Sequence, residues 1–392
     1  MDYSKILNKT IQDVKPSGIR KFFDIVAEQK DAISLGVGEP DFDTPWIGRN
    51  EAIKSLRNGY TSYTSNLGML ELRDLISKYY LTRYDLEYDK NTEIIVTVGA
   101  SEGIDLAIRS LITFGDEVLV PDPSYVSYSP CVRFAGGTPI SIKCNASNGF
   151  IITNDELEKV ITPKTKAIIL PYPNNPTGGI MTKEELEAIR NTIIKHNLIV
   201  ISDEIYSELT YVNKHVSIAT LDGMKERTIV INGFSKAYSM TGFRLGYCLG
   251  PKEIIHSMYK IHQYTIMCAP TTSQFCAISI LKDELSNNFT SVKEMKEEYN
   301  LRRNYVYNSL RKIGFDVFEP NGAFYVFPSV KKFGLNGEKF AEKLLYEQKV
   351  AVVPGNAFGS SGDDHIRISY AYSMENLTKA FERIRTFIQN LN

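Results

Sequence analysis

Between about residues 90 and 250 the chain repeats one rhythm: a short run of β-branched and apolar residues, a turn, then a longer segment of helical period. The runs are EIIVTVG (93–99), EVLVPDP (117–123), KAIILPYP (166–173), LIVISDEIY (198–206), TIVINGFSK (228–236) and RLGYCLG (244–250). Runs that are apolar throughout, rather than alternating, belong to strands covered on both faces, and strands separated by helices pair in parallel. The chain is therefore expected to build an α/β fold with a mostly parallel sheet between helices. The segment after Gly99 places Ile104, Ala107, Ile108, Leu111 and Ile112 on one helical face. The segment after Thr182 opens with a capping box, Thr182 to Glu185.

From about residue 285 the pattern changes. A charged helical stretch, KEMKEEYNLRRNYVYNSL (293–310), precedes the strand-like GAFYVFPSV (322–330), VAVVPG (350–355) and HIRISYA (365–371), and an amphipathic helix closes the chain. These elements suggest a smaller α+β domain. The first forty residues hold SGIRKFFDIV and the Gly, Pro and Asp-rich loop GVGEPDFDTP, which read as a wrapping segment. The expected division is 1–45 for a segment wrapping onto the small domain, 46–285 for the large domain and 286–392 for the small one.

Charge and composition narrow the class of partner. Lys and Arg (45) balance Asp and Glu (46), so no broad field draws the protein to nucleic acid or to anionic lipid, and a small-molecule partner is expected. Cys131, Cys144, Cys248, Cys268 and Cys276 form no C-x-x-C pair, and the five histidines show no H-E-x-x-H spacing, so neither a disulfide framework nor a metal site is expected. The start of the sequence, MDYSKILNKT, lacks the apolar core of a secretory signal, and no run approaches the ~18 apolar residues of a membrane span. A soluble, cytoplasmic protein is expected.

Four features carry chemistry. Lys236 closes an apolar strand and is followed by Thr241, Gly242 and Arg244 before the next strand, so two cations leave the sheet where open α/β sheets bind ligands. Asp203 ends another apolar strand, with Tyr206 three residues on; a carboxylate there is costly to desolvate unless it meets a fixed cation. In PYPNNPTGG, Pro173 and Pro176 stiffen a loop that presents the amides of Asn174 and Asn175. Finally, VTVGASEG (96–103) is a strand, a glycine turn and a helix start, an arrangement whose free N–H groups suit a phosphate. Each also has a plainer reading, as a solvated lysine, a turn-capping aspartate, a bare turn and an unliganded helix end.

The last motif also matches G-x-S-x-G from Gly99 to Gly103, which opens a second reading as a serine hydrolase using Ser101, Asp316 and His365. That reading leaves Lys236, Asp203, Asn175 and Arg244 without a task. A third, a non-catalytic binding protein on the same scaffold, gives no reason for the lysine.

Taken together, GVGEPDFDTP, YTSYTSNLGMLELR, VTVGAS, PDPSYVSY, NNPTG, SDEIYSELTY, NGFSKAYSMTGFRLGY and HIRISYA resemble, in order and over nearly the whole chain from about residue 17, the fold-type I pyridoxal-phosphate aminotransferases of the class I/II, aspartate-aminotransferase-like group. The resemblance implies a seven-stranded sheet in the large domain and assigns roles. Lys236 would carry the cofactor as a Schiff base and shuttle the catalytic proton. Asp203 would pair with the pyridine nitrogen, and Tyr206 and Asn175 would contact the phenolic oxygen. Gly99, Ala100, Ser101, Ser235 and Arg244 would form the phosphate cup, with Tyr125 stacked on the ring and Tyr63 donated by the other subunit of a homodimer. Arg367, helped by the backbone of Gly38 and by Asn175, would hold the substrate α-carboxylate. One departure is Gly233, where many relatives place a hydroxyl. The resemblance is nearest to bacterial N-acetyl-diaminopimelate and aromatic aminotransferases, with 2-oxoglutarate the implied acceptor, and related lyases share the same cofactor site. PSGIRKFF (16–23) and IHQYTIMCAP (261–270) are the segments expected to read the substrate side chain.

Overall fold

The computed structural model describes residues 1–16 and 31–391; the SGIRKFFDIV stretch and nearly all of PSGIRKFF lie outside them. At the centre stands a seven-stranded sheet built from β2 (Ile94–Thr97), β3 (Glu117–Asp122), β4 (Thr138–Lys143), β5 (Thr165–Leu170), β6 (Ile199–Asp203), β7 (Thr228–Gly233) and β8 (Gly246–Leu249), in the order β2-β8-β7-β6-β5-β3-β4. Only β8 runs against its neighbours. The expected mostly parallel sheet is present.

Side chains along these strands alternate between two apolar layers, as a period of two requires. Ile168, Leu170 and Val200 pack with Leu186, Ile189 and Ile193 of the helix Lys183–Lys195. Ala167, Ile169 and Ile201 pack against the opposite layer with Ile104, Ala107 and Ile108 of the helix Gly99–Leu111. Because both faces are covered, the strands read as unbroken apolar runs. The capping box at Thr182 is formed in both directions, with the Thr182 amide donating to Glu185 at 2.7 Å and the Glu185 amide donating to the Thr182 hydroxyl at 3.3 Å; a cap of this kind contributes about 1 kcal/mol.

A separate apolar cluster gathers Phe340, Leu344, Phe381 and Phe387 from the helices Gly337–Gln348 and Met374–Leu391 with Tyr299 of the long helix Thr290–Ile313. Leu35 belongs to the same cluster, and β1 (Ile33–Ser34) pairs in parallel with β10 (Val350–Ala351). A three-stranded sheet, β11 (Val353–Pro354), β12 (Ile366–Ser369) and β9 (Tyr325–Val326), brings Tyr325 and Arg367 next to the large sheet's edge. The loop that follows β1 is tied to this region by Asp41, which receives two hydrogen bonds of 2.7 Å from Arg302.

Candidate active site

The chemistry-bearing residues leave the sheet from one edge. Asp203 is the last residue of β6, Lys236 stands three residues past β7, Tyr125 three past β3, Asn175 five past β5 and Gly99 two past β2, while Arg244 comes two residues before the antiparallel β8 begins. Strand carboxyl ends converge there, so residues distant in sequence meet in one crevice. A cavity of about 600 Å³ occupies it, and Gly38, Ala100, Ser101, Tyr125, Asn175, Asp203, Tyr206, Ser235, Lys236, Arg244 and Arg367 all line it.

Two anticipated residues stand apart from the lining. Gly99 sits beneath it at φ +76, where a Cβ would come within 2.6 Å of Arg244 Nη2, so a larger residue would push the guanidinium away. Tyr63 is 79 % exposed, in a segment pinned to residues 267–274 by Asn66 Nδ2 donating to the Met267 carbonyl (2.7 Å) and Gln274 Nε2 donating to the Thr64 hydroxyl (3.0 Å). Asn174 also turns away: it is buried, with its amide directed to the Pro123 carbonyl at 3.4 Å, which leaves Asn175 as the amide of that loop facing the cavity.

The hydrolase constellation is not assembled. His365 stacks flat on Phe327 with centroids 4.9 Å apart, Asp316 faces Lys332 Nζ at 3.6 Å, and neither lines the cavity with Ser101.

Lys236 Nζ donates to the Gly38 carbonyl at 2.7 Å. Burial brings its ammonium down to about 8, opposed by the charge of Glu39 and assisted by Arg367 and Arg244. Gly38 can approach this closely because it carries no Cβ; one would collide with the Tyr325 hydroxyl. Asp203 is 5 % exposed, and burial pushes its carboxyl up to about 6 against the hydrogen bonds it accepts from the Tyr128 hydroxyl (2.7 Å) and the Ile205 amide (3.2 Å). Arg367, 3 % exposed, donates to Asn175 Oδ1 (2.8 Å) and the Gly36 carbonyl (2.6 Å) and lies 4.4 Å over the Tyr325 ring. Its Nε finds no partner, and burial lowers its pKa. Tyr206 meets the Tyr325 hydroxyl at 2.9 Å, and burial holds its phenol well above the usual range, so it remains a donor at neutral pH.

Tyr128 and Tyr325 are site residues that sequence reasoning passed over. Both sit in quoted motifs, PDPSYVSY and GAFYVFPSV, but among 23 tyrosines nothing in the spacing separates a ring that only packs from one that also donates a hydrogen bond.

The model of the aminotransferase class I and II family matches residues 30–384. The chain is 50 % identical to a putative aminotransferase, YugH, of Bacillus subtilis strain 168, over 97 % of this chain and 98 % of that one. It is 46 % identical to an aspartate aminotransferase of Pyrococcus abyssi over 96 % of both. Among solved structures, an aromatic aminotransferase from Pyrococcus horikoshii OT3 superposes with a TM-score of 0.89 at 43 % identity, covering 95 % of this chain and 99 % of that one. The chain belongs to the class I and II aminotransferases. It is a pyridoxal-phosphate-dependent enzyme that moves an amino group between an amino acid and a 2-oxo acid.

The aminotransferase's cavity fits that cofactor on its own chemistry. Asp203 is a buried carboxylate with no ion-pair partner among the described residues, which suits a protonated ring nitrogen. Arg244 likewise makes no ion pair among the described residues; its Nη1 donates to the Thr241 carbonyl at 2.9 Å, beside a helix start that can accept an anion. Arg367 is a buried cation without a carboxylate, suited to a substrate acid. Among the described residues no cluster of His, Cys, Asp and Glu is arranged to hold a metal, and no helix is long and apolar enough to cross a membrane.

Proposed function

We propose that this aminotransferase takes an L-amino acid donor with an aromatic or acidic side chain, the N-acetyl-diaminopimelate type included, and passes its amino group to 2-oxoglutarate, working as a cytoplasmic homodimer. The observation that carries the transamination is a cavity holding an amine at Lys236, an unpaired buried anion at Asp203 and an unpaired buried guanidinium at Arg367, while the donor and acceptor rest on the likeness to relatives named as aspartate, aromatic and N-acetyl-diaminopimelate aminotransferases. When bound, pyridoxal phosphate supplies an electron sink for the bond broken at the substrate α-carbon. Lys236 holds the cofactor and then moves the proton at that carbon, a task its lowered basicity suits. Asp203 keeps the ring nitrogen protonated. Ala100, Ser101 and Ser235, with Arg244 and Gly99, bind the phosphate, and Tyr125 covers one face of the ring.

Arg367 orients Asn175 by accepting nothing and donating to its Oδ1, so the amide's N–H groups are free to point at a phenolic oxygen beside the Tyr206 hydroxyl. The same guanidinium would grip the substrate carboxylate with Gly38 alongside, and the grip would fix how the substrate α-carbon is presented to Lys236. The division into a segment 1–45, a large domain 46–285 and a small domain 286–392 accords with the separate cluster around Phe340 and Phe387 and with the pairing of Ile33–Ser34 with Val350–Ala351.

A donor panel tests the substrate reading. With 2-oxoglutarate as acceptor, glutamate should form from at least one of phenylalanine, tyrosine, aspartate and N-acetyl-diaminopimelate. Glutamate from none of them, with elimination products instead, would point to a lyase and sink the proposal.

The homodimer reading rests on the exposure of Tyr63 despite its place among the cofactor motifs and on a chemical need, since a dianionic phosphate wants donors beyond Arg244 and one helix end. Lys236→Ala and Tyr63→Ala subunits, each poorly active, can be refolded together. If Tyr63 acts across the interface, one site of each hybrid collects both defects and the other is intact, so about half the wild-type activity per dimer returns. Verified hybrids as inactive as their parents would place Tyr63 in service of its own chain.

A further inference from the structure

Asp203 is held at both oxygens. Oδ1 accepts the backbone amide of Ile205 at 3.2 Å, and Oδ2 accepts the hydroxyl of Tyr128 at 2.7 Å. Tyr128 is 2 % exposed, begins the helix Tyr128–Phe134 and is fixed within the apolar layer that contains Val120, Val132 and Ile201. Its ring also meets Tyr125 edge to face, with centroids 5.6 Å apart and planes at 80°. One side chain thus touches both the proposed partner of the ring nitrogen and the proposed stacking ring.

We propose that Tyr128 is a positioning residue of the transamination site, which sets the orientation and proton affinity of Asp203 through its hydroxyl and supports the Tyr125 ring with its edge. The inference rests on the reading of Asp203 as partner of the ring nitrogen. A hydroxyl donated to a carboxylate stabilises the charged form. Among the other groups acting on Asp203, Lys236 favours the anion and Glu204 disfavours it, and burial outweighs both. Where an acid and a ring nitrogen share one proton, lowering the acid's proton affinity keeps that proton on the nitrogen, which is the form that accepts electrons. Tyr128 can serve at any working pH because burial and the neighbouring carboxylate hold its own phenol well above the usual range.

Tyr128→Phe removes the donor and keeps the ring and its edge contact. Two readouts beyond turnover report on it. Infrared titration of the cofactor-free protein follows the Asp203 carboxyl stretch, assigned by its loss in Asp203→Asn; its midpoint, expected at about 6 in the wild type, should rise by about one pH unit in Tyr128→Phe. Equilibrium binding of pyridoxal phosphate should weaken by about tenfold in Tyr128→Phe, and by less than about twofold when the same change is made in an Asp203→Asn background. An unmoved midpoint, or equal losses in the two backgrounds, overturns the role of Tyr128. Wild-type cofactor affinity in Asp203→Asn alone overturns the reading of Asp203 and the inference with it, so the two failures are told apart.

Discussion

Alanine at position 236 should leave a folded protein that still binds pyridoxal phosphate through its phosphate and ring contacts but turns over about 10⁶-fold more slowly, the scale of losing a group that both bonds to a reactant and transfers its proton. The lysine's environment suits it to that task. At its ordinary value of 10.5 fewer than about one amine in a thousand would be free at pH 7; at about 8, where burial places it, roughly one in ten is. A base acts in its unprotonated form, so the rate carried by Lys236 should climb with pH through the region below 8 and level off above it. Steady-state and single-turnover assays from pH 6 to 9 would show both effects. A Lys236→Ala variant within tenfold of the wild type would remove the lysine from the chemistry.

Leucine in place of Arg367 should lower kcat/KM by about 10³ for both amino acid and 2-oxo acid, mostly through KM, while cofactor affinity changes little. Removing one member of a buried charged pair costs about 3–5 kcal/mol, and here the pair forms only when a substrate carboxylate arrives. In the free protein the guanidinium stacks on Tyr325 and Phe358, at 4.4 and 4.7 Å, and its hydrogen bonds go to neutral oxygens of Asn175 and Gly36. Arg367→Lys should recover only part of the loss, because an ammonium restores the charge without the planar fork. Kinetics with both substrates, beside cofactor titrations, decide the matter: a loss below tenfold, or a matching loss of cofactor affinity, would mean that Arg367 does not grip the substrate.

The large sheet was legible to the extent that its strands are buried on both faces. β2, β3, β5, β6, β7 and β8 are apolar runs, and each is found where the runs stand. The edge strand β4, TPISIK, was not picked out from its residues: only Ile142 of its six residues is buried, and it carries Pro139, which a strand with one free side tolerates. Its presence followed only from the family resemblance.

The polar residues at strand ends were visible because a charge after an apolar run demands a partner, which singled out Lys236 and Asp203. What that logic could not reach is the layer behind them. Tyr128 and Tyr325 act through hydroxyl groups whose targets, Asp203 and Tyr206, lie 75 and 119 residues away in sequence, and only the folded chain brings them together. The choice between Asn174 and Asn175 was equally hidden, since it depends on which way one loop turns.

Whether Lys236 holds pyridoxal phosphate in this cavity can be tested at one atom. The protein loaded with cofactor is reduced with borohydride, which fixes the cofactor to whichever amine holds it, then digested and sequenced by mass spectrometry. A single modified peptide is expected, bearing the added mass on Lys236 within NGFSKAYSMTGFR; modification centred on another lysine, or none in a protein saturated with cofactor, would contradict that role.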